Sequence, residues 1–158
     1  MPRREDLDPS VAACRKVLRE CASYNLRKAS RVVTRLYDDL LQPTGLRSTQ
    51  VVLLVMVAAE GELSMSRLAC ELLLSPSTLS RNLRPLERDG LVKVRQAGKR
   101  GKSVSLTPAG RKALQDVFPH WRDAQARFTK LVGAGTWSKL NQQLAKATSA
   151  TGKVSLHQ

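Results

Sequence analysis

Ser75-Pro76-Ser77-Thr78-Leu79-Ser80-Arg81-Asn82-Leu83-Arg84-Pro85-Leu86-Glu87-Arg88-Asp89-Gly90 is the stretch on which the reading of this chain turns. Serine followed by proline makes an N-cap and a first helical position, and Asp-Gly closes a helix, so the segment predicts a helix from Pro76 to about Arg88. At about 100° per residue, Leu79, Leu83 and Leu86 share one face while Ser77, Arg81, Arg84 and Arg88 point the opposite way. One side packs and the other is basic. Pro85 cannot donate to the carbonyl of Arg81 and is expected to bend or loosen the last turn, leaving residues 77–84 as the reading portion.

Working outward, Ser64 is placed to cap a short helix whose buried residues would be Leu68, Ala69 and Leu72. Two short helices joined by a few-residue turn make a helix-turn-helix candidate. Before them, Gln50 to Ala59 reads as a nearly all-apolar core helix, capped by Ser48 and closed by Gly61. After them, residues 91–95 and 103–106 alternate as strands around Gln96-Ala97-Gly98-Lys99-Arg100-Gly101-Lys102, a hairpin with a basic, glycine-jointed tip. Its Gly-Lys-Ser ending resembles a phosphate-binding loop, but Gln96 stands where that loop needs glycine, and a strand follows where it needs a helix. Thr107-Pro108 opens a helix to roughly Leu131, and Thr136 to about Ala147 forms the last one.

The N-terminal third is helical too. Asp8-Pro9 reads as cap and first turn, and no Pro or Gly interrupts from Val11 to about Leu41, so one long helix is expected, stopped by Pro43-Thr44-Gly45. Val11, Cys14, Leu18, Cys21, Asn25, Ala29, Val32 and Leu36 form one stripe. At 1.5 Å per residue such a helix is about 45–50 Å long, more than a domain of this size covers, so part of the stripe is expected to meet a second copy.

The chain has 158 residues, enough for one domain, with 27 Lys and Arg against 13 Asp and Glu, a formal charge of +14. Ten basic and only two acidic residues fall in 75–112, a concentration that marks a docking surface for a polyanion. Aromatic residues are only 4% of the chain, too few for a single-strand stacking platform, so duplex DNA ranks first. The longest apolar run, Val51 to Ala59, is too short to span a bilayer, and Met1 to Asp6 leads into no apolar stretch, so neither a membrane span nor a secretory signal is read and a cytoplasmic location is expected. No metal-ligand spacing, nucleophile elbow or dinucleotide fingerprint occurs, so neither enzyme nor cofactor is indicated.

In a major groove, Arg81 and Arg84 are the side chains that can fork onto guanine, with Ser75, Ser77, Thr78 and Ser80 at the helix start near bases or phosphate. On the hairpin, Arg95, Lys99 and Lys102 suit a DNA backbone, with Arg100 at the tip entering the minor groove. A sequence-tolerant architectural binder using the same segment for phosphates alone is the alternative.

Order of elements and residues together resemble the MarR family of winged-helix transcriptional regulators over roughly residues 10–150. Three stretches carry the likeness: Leu68-Ala69 through Ser75-Pro76-Ser77-Thr78-Leu79-Ser80-Arg81, Leu86-Glu87-Arg88-Asp89-Gly90-Leu91-Val92, and Val104-Ser105-Leu106-Thr107-Pro108-Ala109-Gly110. The resemblance implies a homodimer built from the first and last two helices, a recognition helix in the major groove, a wing in the minor groove, and often a small-molecule or oxidant signal that lowers DNA affinity. In the family's wing an Asp commonly stands two positions before the minor-groove Arg; Gly98 stands there in this chain, so any anchoring of Arg100 must come from elsewhere.

The expected class is therefore mainly α with a small β-hairpin wing, a winged helix-turn-helix flanked by N- and C-terminal dimerisation helices. The expected division is a flexible N-terminus at 1–8, an N-terminal dimerisation helix at 9–45, the winged DNA-binding region at 46–108, C-terminal dimerisation helices at 109–148 and a flexible tail at 149–158. The partners expected are a pseudo-palindromic duplex operator, a second copy of the chain and a small-molecule effector. Cys21, Tyr24 and Arg27, with Phe118, His120 and Trp121, are candidates to line an effector space, for which aromatic acids and related amphipathic anions are the first ligands to screen.

Three cysteines without close pairs read as reduced thiols. Cys14 and Cys21 lie about 10.5 Å apart along one helix, too far to bridge within it. They are either packing residues or, if the stripe is an interface, an oxidant-sensitive pair made reactive by Arg15, Lys16 and Arg19.

Overall fold

The computed structural model describes residues 10–98 and 101–155. In chain order its elements are α1 (Val11–Glu20), α2 (Ala22–Leu41), a 3-10 turn (Gln42–Thr44), α3 (Ser48–Glu60), β1 (Leu63–Ser64), α4 (Met65–Glu71), α5 (Pro76–Arg88), β2 (Val92–Gln96), β3 (Lys102–Leu106), α6 (Pro108–Val132) and α7 (Ala134–Ser155). The protein is mainly α with a small antiparallel sheet, a winged helix-turn-helix as expected. Its chain divides into two compact units, 1–36 and 37–158.

In the first unit, the single long helix expected from Val11 is two. α1 ends at Cys21, whose backbone is extended at φ −67° and ψ 111°, and α2 begins at the next residue. Asn25, one of the residues of the apolar stripe, spans the break. Its side-chain amide donates to the carbonyls of Arg19 and Cys21 at 3.0 Å each, giving the Arg19 carbonyl a local alternative to the helical ladder, while the Cys21 carbonyl also accepts from the Asn25 N–H at 3.0 Å. The cap of α1 is Ser10, whose hydroxyl accepts from the Ala13 N–H at 3.2 Å; Asp8 lies outside the described residues. α1 buries none of its residues in the single chain.

In the second unit, Leu41, Leu54, Leu68, Leu79, Leu86 and Val104 are fully buried at the centre of one apolar core. The sheet runs β1-β3-β2 with β3 in the middle, Val104 opposite Leu63 on one side and Val94 on the other. β1 escapes the sequence reading because two residues carry no periodicity. They become a strand only by pairing with β3, and the Ser103 hydroxyl, one residue away, donates to Glu62. α3 starts one residue earlier than a Ser48 cap implies: Arg47 is the cap residue, its N–H accepted by the Gln50 side chain at 2.9 Å, while the Ser48 N–H goes to Asp38 at 2.7 Å. At the other end of the chain, α7 continues to Ser155 instead of stopping near Ala147, so the tail expected from 149 is helical through its described part.

Thr107 ties three elements together. Its N–H donates to the Leu91 carbonyl at 3.1 Å, its hydroxyl to the Gly90 carbonyl at 2.6 Å, and that oxygen accepts from the Gly110 N–H at 3.0 Å as the cap of α6. Gly90 takes the left-handed turn (φ 70°) that lets the chain leave α5 for β2. Thr107→Ala removes both the cap and the tie to Gly90, and is expected to lower the unfolding free energy by about 1–2 kcal/mol, read from urea midpoints.

Candidate nucleic-acid interface

α5 is set by its first residues. The Ser75 hydroxyl accepts from the Thr78 N–H at 3.2 Å and lies 2.9 Å from the Thr78 hydroxyl and 3.1 Å from that of Ser77. Leu79, Leu83 and Leu86 are buried beneath the helix, so Ser77, Ser80, Arg81, Arg84 and Arg88 are turned outward, as the projection predicts. The helix runs through Pro85 as one element to Arg88, with the buried Leu83 and Leu86 flanking the proline. The turn before α5 contains no glycine, and Leu73 itself takes the left-handed conformation at φ 51°.

The arginines differ in how they are held. Arg88 donates to Asp89 at 2.9 Å, and that hydrogen bond, with the carboxylate's charge, raises its pKa further. Among the described residues neither Arg81 nor Arg84 has an acidic partner, and both are exposed. The acid that neutralises part of this face is thus Asp89, and it takes the arginine at the far end of the helix.

On the hairpin, Arg95 and Lys102 are exposed, Arg95 opposite Ser103 and Lys102 opposite Gln96 in the register. Gly98 and Gly101 have positive φ, and the Ala97 N–H closes the loop on the Gly101 carbonyl at 2.6 Å. Lys99 and Arg100 lie outside the described residues. Near the loop end of the hairpin, the bond from Ser103 to Glu62 holds the central strand to the segment before α4.

The candidate effector and redox residues fall in both units. Cys14, Tyr24 and Arg27 are exposed and Cys21 is half-buried in the first unit. In the second, Phe118 and Trp121 line an apolar cavity of about 520 Å³ together with Tyr37, Val52, Val55 and Met56, whereas the half-buried His120 is not part of its wall. Tyr37 and Glu60 are polar lining residues that no local sequence signal marks. Tyr37 donates to the Gln125 side chain at 2.5 Å, and burial raises its pKa. Glu60, the last residue of α3, lines the same cavity.

A family model described as MarR family matches residues 46–99. No curated protein matches the sequence. Among solved structures, the M. tuberculosis transcriptional regulator MosR, determined in complex with DNA, is 38% identical, with a TM-score of 0.77 over 85% of this chain and 98% of that one. AbsC, a MarR family transcriptional regulator from Streptomyces coelicolor, is 27% identical, with a TM-score of 0.72 over 84% of this chain and 93% of that one. A MarR family regulator from Silicibacter pomeroyi is 25% identical, with a TM-score of 0.65 over 86% and 94%.

Proposed function

Because this chain belongs to the MarR family of transcriptional regulators, we propose that it is a homodimeric, sequence-specific DNA-binding repressor, acting in the cytoplasm and released by a small-molecule or oxidant signal. The observation that carries the reading is the outer face of α5, where Arg81 and Arg84 stand exposed and without acidic partners beside Ser77 and Ser80. In the major groove these arginines read guanine edges while Ser75 and Thr78 hold the helix start near phosphate. Arg95, Lys99 and Lys102 follow the backbone, and Arg100 enters the minor groove. The determination of the 38% identical MosR in complex with DNA supports the same partner.

For the dimer, the support is apolar surface on α1 and α2. Val11 is 68% exposed and Val32 65%, side chains that a monomer would leave in water. Two recognition helices related by a two-fold axis would read half-sites about 10 bp apart. Sedimentation at micromolar concentration should give a dimer, and selection from a randomised duplex pool should return a pseudo-palindrome. A monomer, or a pool with no enrichment at fixed salt, favours the architectural reading. The oxidant route has its own requirement: peroxide must weaken operator binding reversibly, and Cys14→Ser or Cys21→Ser must abolish that response.

Lys102→Ala is expected to weaken selected and random duplexes alike and to reduce the slope of log affinity against log salt by about one, since a phosphate contact carries one released counterion. Titrations of both duplexes between low and high salt measure it.

A further inference from the structure

The apolar cavity has a charge character that the first choice of ligand, an aromatic acid, does not fit. Its wall is built from valines, Met56, Phe118 and Trp121, and its volume of about 520 Å³ is that of a small-molecule site. Among the described residues, no Lys, Arg or His lines it, and its one charged lining residue is Glu60. An anion entering here loses its water without a counter-charge, whereas a cation meets a carboxylate beside aromatic rings.

Glu60 has a second role. Its Oε2 accepts from the Arg67 guanidinium at 2.7 Å, and among the described residues the other acidic partner of Arg67 is Glu71, 4.0 Å from its Nε. Arg67 belongs to the first turn of α4, where its N–H is held by Ser64 at 3.2 Å. α4 buries Leu68 and Ala69 in the core that also holds Leu79 and Leu83 of the recognition helix. The ion pair therefore joins the cavity wall to the helix-turn-helix.

Resting on the regulator reading above, we infer that the cavity takes an amphipathic organic cation whose charge displaces Arg67 from Glu60 and so loosens the hold of α5 on DNA. The pair is about half exposed, so its loss carries a change in duplex affinity of about twofold to fivefold, the range of a surface ion pair.

Tetraphenylphosphonium and tetraphenylborate, matched in shape and opposite in charge, provide the test, by calorimetric titration of the full chain at physiological salt and then with the selected duplex. The cation is expected to bind about twofold to fivefold more tightly than the anion, the range set by the same half-exposed carboxylate. Glu60→Gln should remove that preference. The cation should weaken duplex binding by the parent, while Arg67→Met should show the weakened binding without ligand and no further response. Equal or tighter binding of the anion, undiminished cation binding by Glu60→Gln, or duplex binding indifferent to the cation would each overturn the inference. A parent chain that binds no duplex sequence-specifically, with no probe added, would overturn the regulator reading instead.

Discussion

Gly110→Ala is expected to destabilise the protein by about 3 kcal/mol or more, the upper range for forcing atoms into a packed site. A Cβ at Gly110 would stand 2.0 Å from the Leu91 carbonyl oxygen and 3.0 Å from a Leu106 methyl. The obstacle is backbone, and it is the same carbonyl that accepts the Thr107 N–H. Relief therefore means moving α6 away from the start of β2 or breaking the knot that Thr107 makes with Gly90. Gly135→Ala is the matched control. It is also helical and has nothing within 4 Å of a built Cβ, so the same added methyl should be neutral or stabilise by up to about 1 kcal/mol, through lost freedom of the unfolded chain. The urea midpoint of Gly110→Ala should fall while that of Gly135→Ala stays or rises. A Gly110→Ala variant as stable as the parent would mean that α6 does not cross β2 at this distance.

What was legible in the sequence was what neighbours in the chain decide. Ser75-Pro76 and Thr107-Pro108 are caps whose hydrogen bonds close within three residues, and the spacing of Leu79, Leu83 and Leu86 already states which face of α5 is buried. The misses have non-local or competing causes. β1 is a strand only through β3, some forty residues later. The break at Cys21 goes with Asn25 turning its amide onto the Arg19 carbonyl, a choice no periodicity records. α7 outlasts its expected end, continuing through Gly152 to Ser155, with the Thr151 hydroxyl donating to the Ala147 carbonyl at 2.9 Å within the helix. At the site, the arginines of α5 were visible because charge and helical phase are written in order. Glu60 was not: its cavity wall and its bond to Arg67 depend on where α3 ends relative to α4 and α6.

α5 supplies the prediction that most directly separates a reader of sequence from a binder of charge. Arg81→Ala or Arg84→Ala should each weaken the selected duplex by about 1–3 kcal/mol and relax base preference at one position of each half-site. The reason lies in how the guanidinia are held. Among the described residues neither is paired with an acid, so each is available to make a bidentate contact, and the buried leucines below fix the direction from which it approaches. Arg88 is the internal comparison, equally exposed but already donating to Asp89 at 2.9 Å. Arg88→Ala should therefore cost clearly less on the selected duplex, because reaching a base would mean breaking that bond first. Random duplex should respond differently, losing only the modest counterion contribution of one charge from any of the three. Equal losses on selected and random DNA for Arg81 and Arg84, matching those for Arg88, would leave α5 with phosphates alone and the protein as an architectural binder.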